Sequence, residues 1–150
     1  MTTSAVPIEI ASVGIVAGAG DDVARVDWSR VRSEIRVHDE YADALLGLSD
    51  YSHLLVIGWL DRIPNDLRLR LRAHPSGDER YPVQGALALR GGARPNPISV
   101  TVCRLLRIDG TRIRVEGLDL VDGTPVLDLK PYIAHYDSVP GASLPGWASG

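Results

Sequence analysis

Ile98-Ser99-Val100-Thr101-Val102-Cys103-Arg104-Leu105-Leu106-Arg107-Ile108-Asp109-Gly110-Thr111-Arg112-Ile113-Arg114-Val115-Glu116-Gly117-Leu118 is the stretch that decides the fold class. Apolar and polar residues alternate on both sides of Asp109-Gly110, and a period of two sends successive side chains to opposite faces of a half-buried strand. An Asp-Gly pair supplies the positive φ values of a two-residue type I′ turn. The stretch therefore predicts an antiparallel hairpin of residues 98–108 against 111–118.

The same alternation recurs along the chain and predicts further strands at 8–16, 31–37, 53–59, 67–72, 83–90 and 125–129. One helical signal interrupts them. Tyr41, Leu45 and Leu48 fall at i, i+4 and i+7 behind Asp39 as N-cap, so residues 40–48 are expected to form a short helix plugging a barrel end. Many short strands punctuated by Gly and Pro predict a mostly β fold, a small closed or partly closed antiparallel β-barrel with one short helix, because closure removes exposed sheet edges. Residues 1–137 are expected to form the barrel domain, and residues 138–150, rich in Gly, Pro and Ser, an extended or flexible arm.

With 150 residues, 45% of them hydrophobic and 23% charged, the chain suits one globular domain rather than a disordered segment. A formal net charge of −3 removes the general basic excess by which nucleic-acid binding usually announces itself, while leaving room for a local basic patch. The single cysteine, Cys103, excludes an internal disulfide and a Cys-rich zinc site. The start lacks a charged and apolar leader and no stretch approaches a membrane span, so a cytoplasmic protein without membrane contact is expected.

Several motifs read as structural. Gly18-Ala19-Gly20 follows an apolar strand, yet it lacks the third glycine and the βαβ setting of a dinucleotide fingerprint, so a plain loop is expected. Leu67-Arg68-Leu69-Arg70-Leu71-Arg72 would line up three guanidinium groups on one strand face, suited either to phosphates or to the solvated side of an edge strand. His38, His53, His74 and His135 lack metal-ligand spacing, Asp119, Asp122 and Asp128 lack that of a calcium loop, and no metal is expected. Cys103 has no neighbouring base and reads as core. Two segments read as functional: Arg90-Gly91-Gly92-Ala93-Arg94-Pro95-Asn96-Pro97-Ile98, a polar loop stiffened by two prolines, and residues 119–132, which combine carboxylates, a turn and an apolar strand.

These segments resemble the hallmark stretches of the TrmO-type (TsaA-like) family, whose members methylate N6 of threonylcarbamoyl-adenosine beside the tRNA anticodon. Arg94-Pro95-Asn96-Pro97-Ile98 and the run from Asp119 to Tyr132 carry the likeness. A weaker match covers residues 40–48 through Tyr51-Ser52-His53-Leu54. The resemblance implies a β-barrel, a homodimer, S-adenosylmethionine as cofactor in a site close to the subunit interface, and tRNA as partner. It places cofactor contacts on Asp61, Arg62, Arg90, Val100, Asp122, Gly123, Thr124 and Pro125, while the proline-stiffened loop offers Arg94 and Asn96 as candidate substrate contacts. Within that set a guanidinium fork at Arg90 suits the methionine carboxylate, Asp61 or Asp122 suits hydroxyl or amine hydrogens, and the backbone of the turn suits the adenine edge. In-line methyl transfer needs donor and acceptor held in near-attack geometry, and no catalytic nucleophile is implied.

The chain departs from the family in three places. Residues 17–28 hold neither the Ser-Pro-(Phe/Tyr) nor the Pro-Arg-Gln loop of its members; Arg90-Gly91-Gly92-Ala93-Arg94 stands for Arg-Ser-Pro-x-Arg; and Ser99 replaces a glycine. The Pro-Arg-Gln loop touches the cofactor or the acceptor in the family, and the donor-side motifs are better kept than the acceptor side. The alternatives are a methyltransferase acting on a small molecule, with an apolar pocket near Trp28 or Trp147, and a non-catalytic S-adenosylmethionine-binding protein. A tRNA enzyme is expected to carry a positive strip, with Arg68, Arg70, Arg72 and Arg94 as candidates.

Overall fold

The computed structural model describes residues 3–149. In chain order the strands are β1 (Gly14–Ala17), β2 (Arg32–Val37), β3 (His53–Trp59), β4 (Arg72–Ala73), β5 (Gln84–Gly85), β6 (Ile98–Asp109), β7 (Arg112–Glu116) and β8 (Pro125–Pro131). Six of them close into an antiparallel barrel in the order β1-β2-β7-β6-β3-β8, with β8 returning to β1 where Val126 faces Gly14. β4 and β5 form a separate two-stranded ribbon. The mostly β barrel expected from the alternation is present, and it is closed.

The hairpin of β6 and β7 forms as predicted, but its turn differs. Asp109 pairs with Arg112, so the central residues are Gly110 and Thr111, and only Gly110 takes a positive φ, of 62°. Glycine alone at the first central position is the type II′ pattern, not I′. Beyond the turn the alternation works as expected, with Ile113 and Val115 buried and Arg112 and Arg114 exposed. Cys103, Leu54, Val56, Ile35, Val16 and Val126 meet them in one core, each fully buried large side chain contributing about 1.5–3 kcal/mol. Leu118 and Leu120, just past β7, fold back into the same core and close one end of the barrel.

Other sequence expectations are corrected. Residues 67–72 are not a strand: α1 (Asn65–Arg68) begins after Pro64, and only Arg72 enters β4. Leu69 and Leu71 are 81% and 62% exposed, so their alternation with arginine has no core to face. Residues 83–90 shrink to β5 and a 3₁₀ turn at Ala86–Ala88. Strand pairing in the 8–16 stretch starts only at Gly14, because Ile8 and Ile10 lie exposed outside the barrel. The helix expected at 40–48 is a 3₁₀ helix, Asp39–Leu45, with His38 rather than Asp39 at its N-cap, followed by a second 3₁₀ turn at Leu48–Asp50. Tyr41, Leu45 and Leu48 pack against the barrel core. A second α-helical turn, α2 (Ala134–Asp137), follows β8, and further along Trp147 stacks on Tyr81 with ring centroids 6.1 Å apart. No helix among the described residues is long and apolar enough to cross a membrane.

Burial sets the chemistry of Cys103. Removal from water, and secondarily the charge of Asp119, push its thiol from an ordinary 9.0 up to about 12. Since the thiolate is the reactive form, the native protein is expected to resist a thiol-alkylating reagent at pH 8 and to react at once in denaturant. Equal rates in both states would contradict this burial. Because the folded value lies above the unfolded one, the unfolded chain loses this proton first, and the stability held by the neutral thiol falls as pH rises above 9.0 towards 12.

Candidate functional site

Chain segments far apart in sequence meet at one end of the barrel. The loop after β1 turns through Gly18 and Gly20, both at φ 80°, which brings the Ala19 amide to the Asp122 carboxylate; Asp122 Oδ1 accepts that N–H at 2.7 Å. The Asp122 amide donates to the Gly20 carbonyl at 2.8 Å and the Gly123 amide to the Val16 carbonyl at 2.9 Å. Thr124 is buried, its hydroxyl donating to the Val121 carbonyl at 2.7 Å, and its own carbonyl accepts from Val16 N–H at 3.1 Å. The turn Asp122-Gly123-Thr124-Pro125 is thus fastened to β1 on both sides, and Gly18-Ala19-Gly20, a loop as expected, is what fastens it.

Beside the turn lies a cleft of about 410 Å³ lined by Val23, Trp28, Leu60, Asp61, Arg62, Ile63, Gly92, Asp119, Leu120, Val121 and Thr124. Asp61 and Arg62 reach it from the end of β3, and Arg62 Nη2 donates to the Asp122 carbonyl at 3.1 Å. Asp119 accepts a hydrogen bond from the Thr101 hydroxyl of β6. Trp28 donates its indole N–H to the Arg25 carbonyl at 2.9 Å and lies under the Arg25 guanidinium, 4.8 Å from the ring centroid. Gly92 packs so closely on Leu60 and Ile63 that a Cβ there would fall 2.9 Å from Ile63 Cδ1.

The candidate contacts divide into two groups. Asp61, Arg62 and Thr124 line the cleft, and Asp122 braces it through Arg62 and Ala19. Arg90 and Val100 lie elsewhere and bond to each other, Arg90 Nη2 donating to the Val100 carbonyl at 3.1 Å. Arg90 instead borders a cavity of about 1000 Å³ lined also by Arg70, Arg72, His74 and Trp147. Gly92 lines both spaces. Arg94 turns inward to cap its own loop, donating to the Leu89 and Gly91 carbonyls at 2.8 and 3.2 Å. Arg68 holds the same loop, donating to the Pro95 carbonyl at 2.8 Å and to Asn96 Oδ1 at 3.4 Å while stacking over Trp59. The strip of Arg68, Arg70, Arg72 and Arg94 expected from alternation therefore does not form, since two of its members are spent on the Pro95-Asn96 loop. Trp28, named in the sequence only for the small-molecule alternative, and Asp119, which lies in the 119–132 segment but was not a candidate contact, both line the cleft. Ser99, which stands where the family has glycine, tucks its hydroxyl against Gly58, where an added Cβ would lie 2.8 Å from it, and among the described residues that hydroxyl has no hydrogen-bond partner.

The chain matches the family described as tRNA-methyltransferase O N-terminal domain over residues 25–138. A protein of Archaeoglobus fulgidus named S-adenosyl-L-methionine-binding protein is 37% identical over 112 residues, covering 75% of this chain and 77% of that one. A human protein named tRNA (adenine(37)-N6)-methyltransferase is 34% identical over 109 residues, covering 73% of this chain and 24% of that one. The crystal structure of TrmO from Pseudomonas aeruginosa superposes with a TM-score of 0.73 at 25% identity, covering 92% of this chain and 62% of that one. Of another Archaeoglobus fulgidus relative, 35% identical over 144 residues, the chain spans 38% of the length.

Proposed function

The chain belongs to the family of the tRNA-methyltransferase O N-terminal domain, and from that premise we propose that it is an S-adenosylmethionine-dependent methyltransferase acting on N6 of threonylcarbamoyl-adenosine beside the tRNA anticodon. The observation that carries the reading is the cleft beside the Asp122 turn. Its volume of about 410 Å³ falls within the ~300–1,000 Å³ usual for ligand sites, and its lining combines two carboxylates, a guanidinium and an apolar wall with a tryptophan. That donor set fits S-adenosylmethionine, a molecule with an ammonium, a carboxylate, ribose hydroxyls and a flat base. When bound, it supplies a methyl group already activated on a sulfonium.

The chain's own residues bind and orient. Asp61 and Asp119 accept hydrogens from the ammonium or ribose hydroxyls, since an ionised carboxylate only accepts. Arg62, anchored by the Asp122 carbonyl, has further N–H groups for the methionine carboxylate. Trp28, Leu60 and Ile63 offer the base an apolar surface and keep water out. No group in the cleft is required as a nucleophile, so orientation and desolvation account for the chain's contribution.

The protein acts as a homodimer in this reading. Ile98, Val100 and Val102 form an exposed apolar row along β6, paired across the outer face with Trp59, Ile57 and Leu55 of β3. Such a patch suits burial against a second copy, and it carries Val100 and the Arg90 that bonds to it to the interface. A small-molecule acceptor is the second reading, favoured by the missing loops at residues 17–28.

Calorimetric titration with S-adenosylmethionine is expected to show saturable binding that Asp61→Ala weakens about tenfold or more, the loss of one charge-assisted contact. Heats no larger than dilution in the wild-type protein would overturn the reading.

A further inference from the structure

The outer wall of the barrel formed by β2, β7 and β6 is strongly basic in a chain whose formal net charge is −3. Its outward positions hold Arg32, Glu34 and Arg36 on β2, Arg112, Arg114 and Glu116 on β7, and Arg104, Arg107 and Asp109 on β6. Six arginines thus face three carboxylates. Glu116 pairs with Arg32 at 3.0 Å and Arg104 at 3.9 Å, Glu34 with Arg36 at 2.7 Å, and Asp109 with Arg107 at 3.6 Å. Among the described residues, Arg112 and Arg114 have no carboxylate in ion-pair contact. The shallow groove between them, about 350 Å³, runs from Arg36 and Arg112 past the bulged residue Leu106 to Ala17 and Gly18. Gly18 precedes Ala19, whose amide holds Asp122, so the basic wall ends at the edge of the methyl-donor site.

Cross-strand pairing gives the two central arginines little net stability: Arg114 lies between Glu34 and Arg107, and Arg112 between Asp109 and Arg36, so each faces one opposite and one like charge. The wall also presents no aromatic side chain at these outward positions, so it lacks the stacking platform by which proteins hold unpaired bases. Arginines at alternate positions on adjacent strands, spaced about 5–7 Å apart, suit a phosphate backbone of fixed shape.

We infer that the β2-β7-β6 wall, centred on Arg112 and Arg114, is a docking surface for the phosphate backbone of duplex RNA, holding a stem while the acceptor base reaches the cleft. The inference rests on the tRNA reading above and adds the surface and the part of the RNA it takes. The Leu67–Arg72 stretch singled out by its alternating arginines is not that surface.

The test is filter binding of unmodified tRNA across a salt series with wild-type protein, Arg112→Ala/Arg114→Ala and, for comparison, Arg70→Ala/Arg72→Ala. A plain RNA hairpin, oligouridine and phosphatidylserine vesicles serve as further probes. The wall variant is expected to lose about tenfold in affinity for tRNA and hairpin alike and to flatten the slope of log K against log salt by about 2, one per phosphate contact. Its melting temperature is expected to stay close to that of wild type, since each arginine loses one opposite and one like cross-strand neighbour, and its S-adenosylmethionine affinity to be unchanged. Unaltered tRNA binding by the wall variant, with methyl transfer to tRNA intact in the wild type, would overturn the wall and leave the tRNA reading standing. Wild-type protein that neither binds nor methylates tRNA would overturn both. A loss confined to oligouridine or to vesicles, or a fall in melting temperature matching the loss of RNA binding, would equally overturn a duplex-docking role.

Discussion

Asp122→Ala is expected to lose both methyl-donor affinity, by about tenfold or more, and about 1.5–3 kcal/mol of stability, the usual worth of a hydrogen bond to a charged group. Among the described residues, the carboxylate is the only side chain hydrogen-bonded between the loop after β1 and the turn before β8, through the Ala19 amide at 2.7 Å. Without it, the loop of Gly18 and Gly20, whose glycines permit many other conformations, is free to leave. The Asp122 carbonyl that anchors Arg62 would shift with the turn, and the cleft would lose the orientation of its guanidinium. Asp122→Asn keeps an acceptor oxygen at the same place and is expected to recover most of both losses. Calorimetry and urea unfolding measure the two quantities on one preparation. Donor affinity unchanged in Asp122→Ala would show that the turn is not part of the donor site.

Val102→Asp is expected to convert the protein from dimer to monomer in light scattering and to weaken donor binding in parallel. Val102 is 46% exposed in the single chain, facing outward beside Leu55, so the substitution leaves the barrel core untouched. Aspartate is too short to carry its charge out of the patch. In a two-fold interface the charge enters twice, and a buried unpaired carboxylate costs several kcal/mol, which at about 1.4 kcal/mol per tenfold weakens association a hundredfold or more. Val102 is not among the candidate cofactor contacts, so a fall in donor affinity would report that the second copy completes the site. A variant that remains dimeric, or a wild-type monomer, would contradict an interface on this face.

The parts of the fold legible in the sequence are those whose partners are close by. The β6–β7 hairpin could be read from alternation on both sides of Asp109-Gly110, because its register is set by a turn of two residues. The alternation of Leu67 to Arg72 was misleading because periodicity records a pattern and not a partner. Pro64, Asn65 and Asp66 ahead of it are helix-start residues, and their signal prevails where no core awaits Leu69 and Leu71. Asp61 and Arg62 are candidates through resemblance alone, whereas Asp122 lies in a segment that its carboxylates and turn already mark; what no local pattern shows is that Asp122 meets Ala19, 103 positions away. Asp119 and Trp28 could be named in the sequence but not placed side by side, because they lie 91 positions apart and meet only in the folded barrel. The basic wall was hidden by an acidic total charge and by arginines divided among three strands that come together only when β2 pairs with β7.

Methyl transfer to tRNA tests the central claim most directly. Purified protein would be incubated with S-adenosylmethionine carrying a labelled methyl group and total tRNA from cells lacking this family's enzyme, beside the same tRNA already modified. Label entering only the unmodified pool, and recovered on the threonylcarbamoyl-adenosine nucleoside, is the predicted result. No label in either pool, from protein that binds S-adenosylmethionine in calorimetry, would contradict the tRNA acceptor.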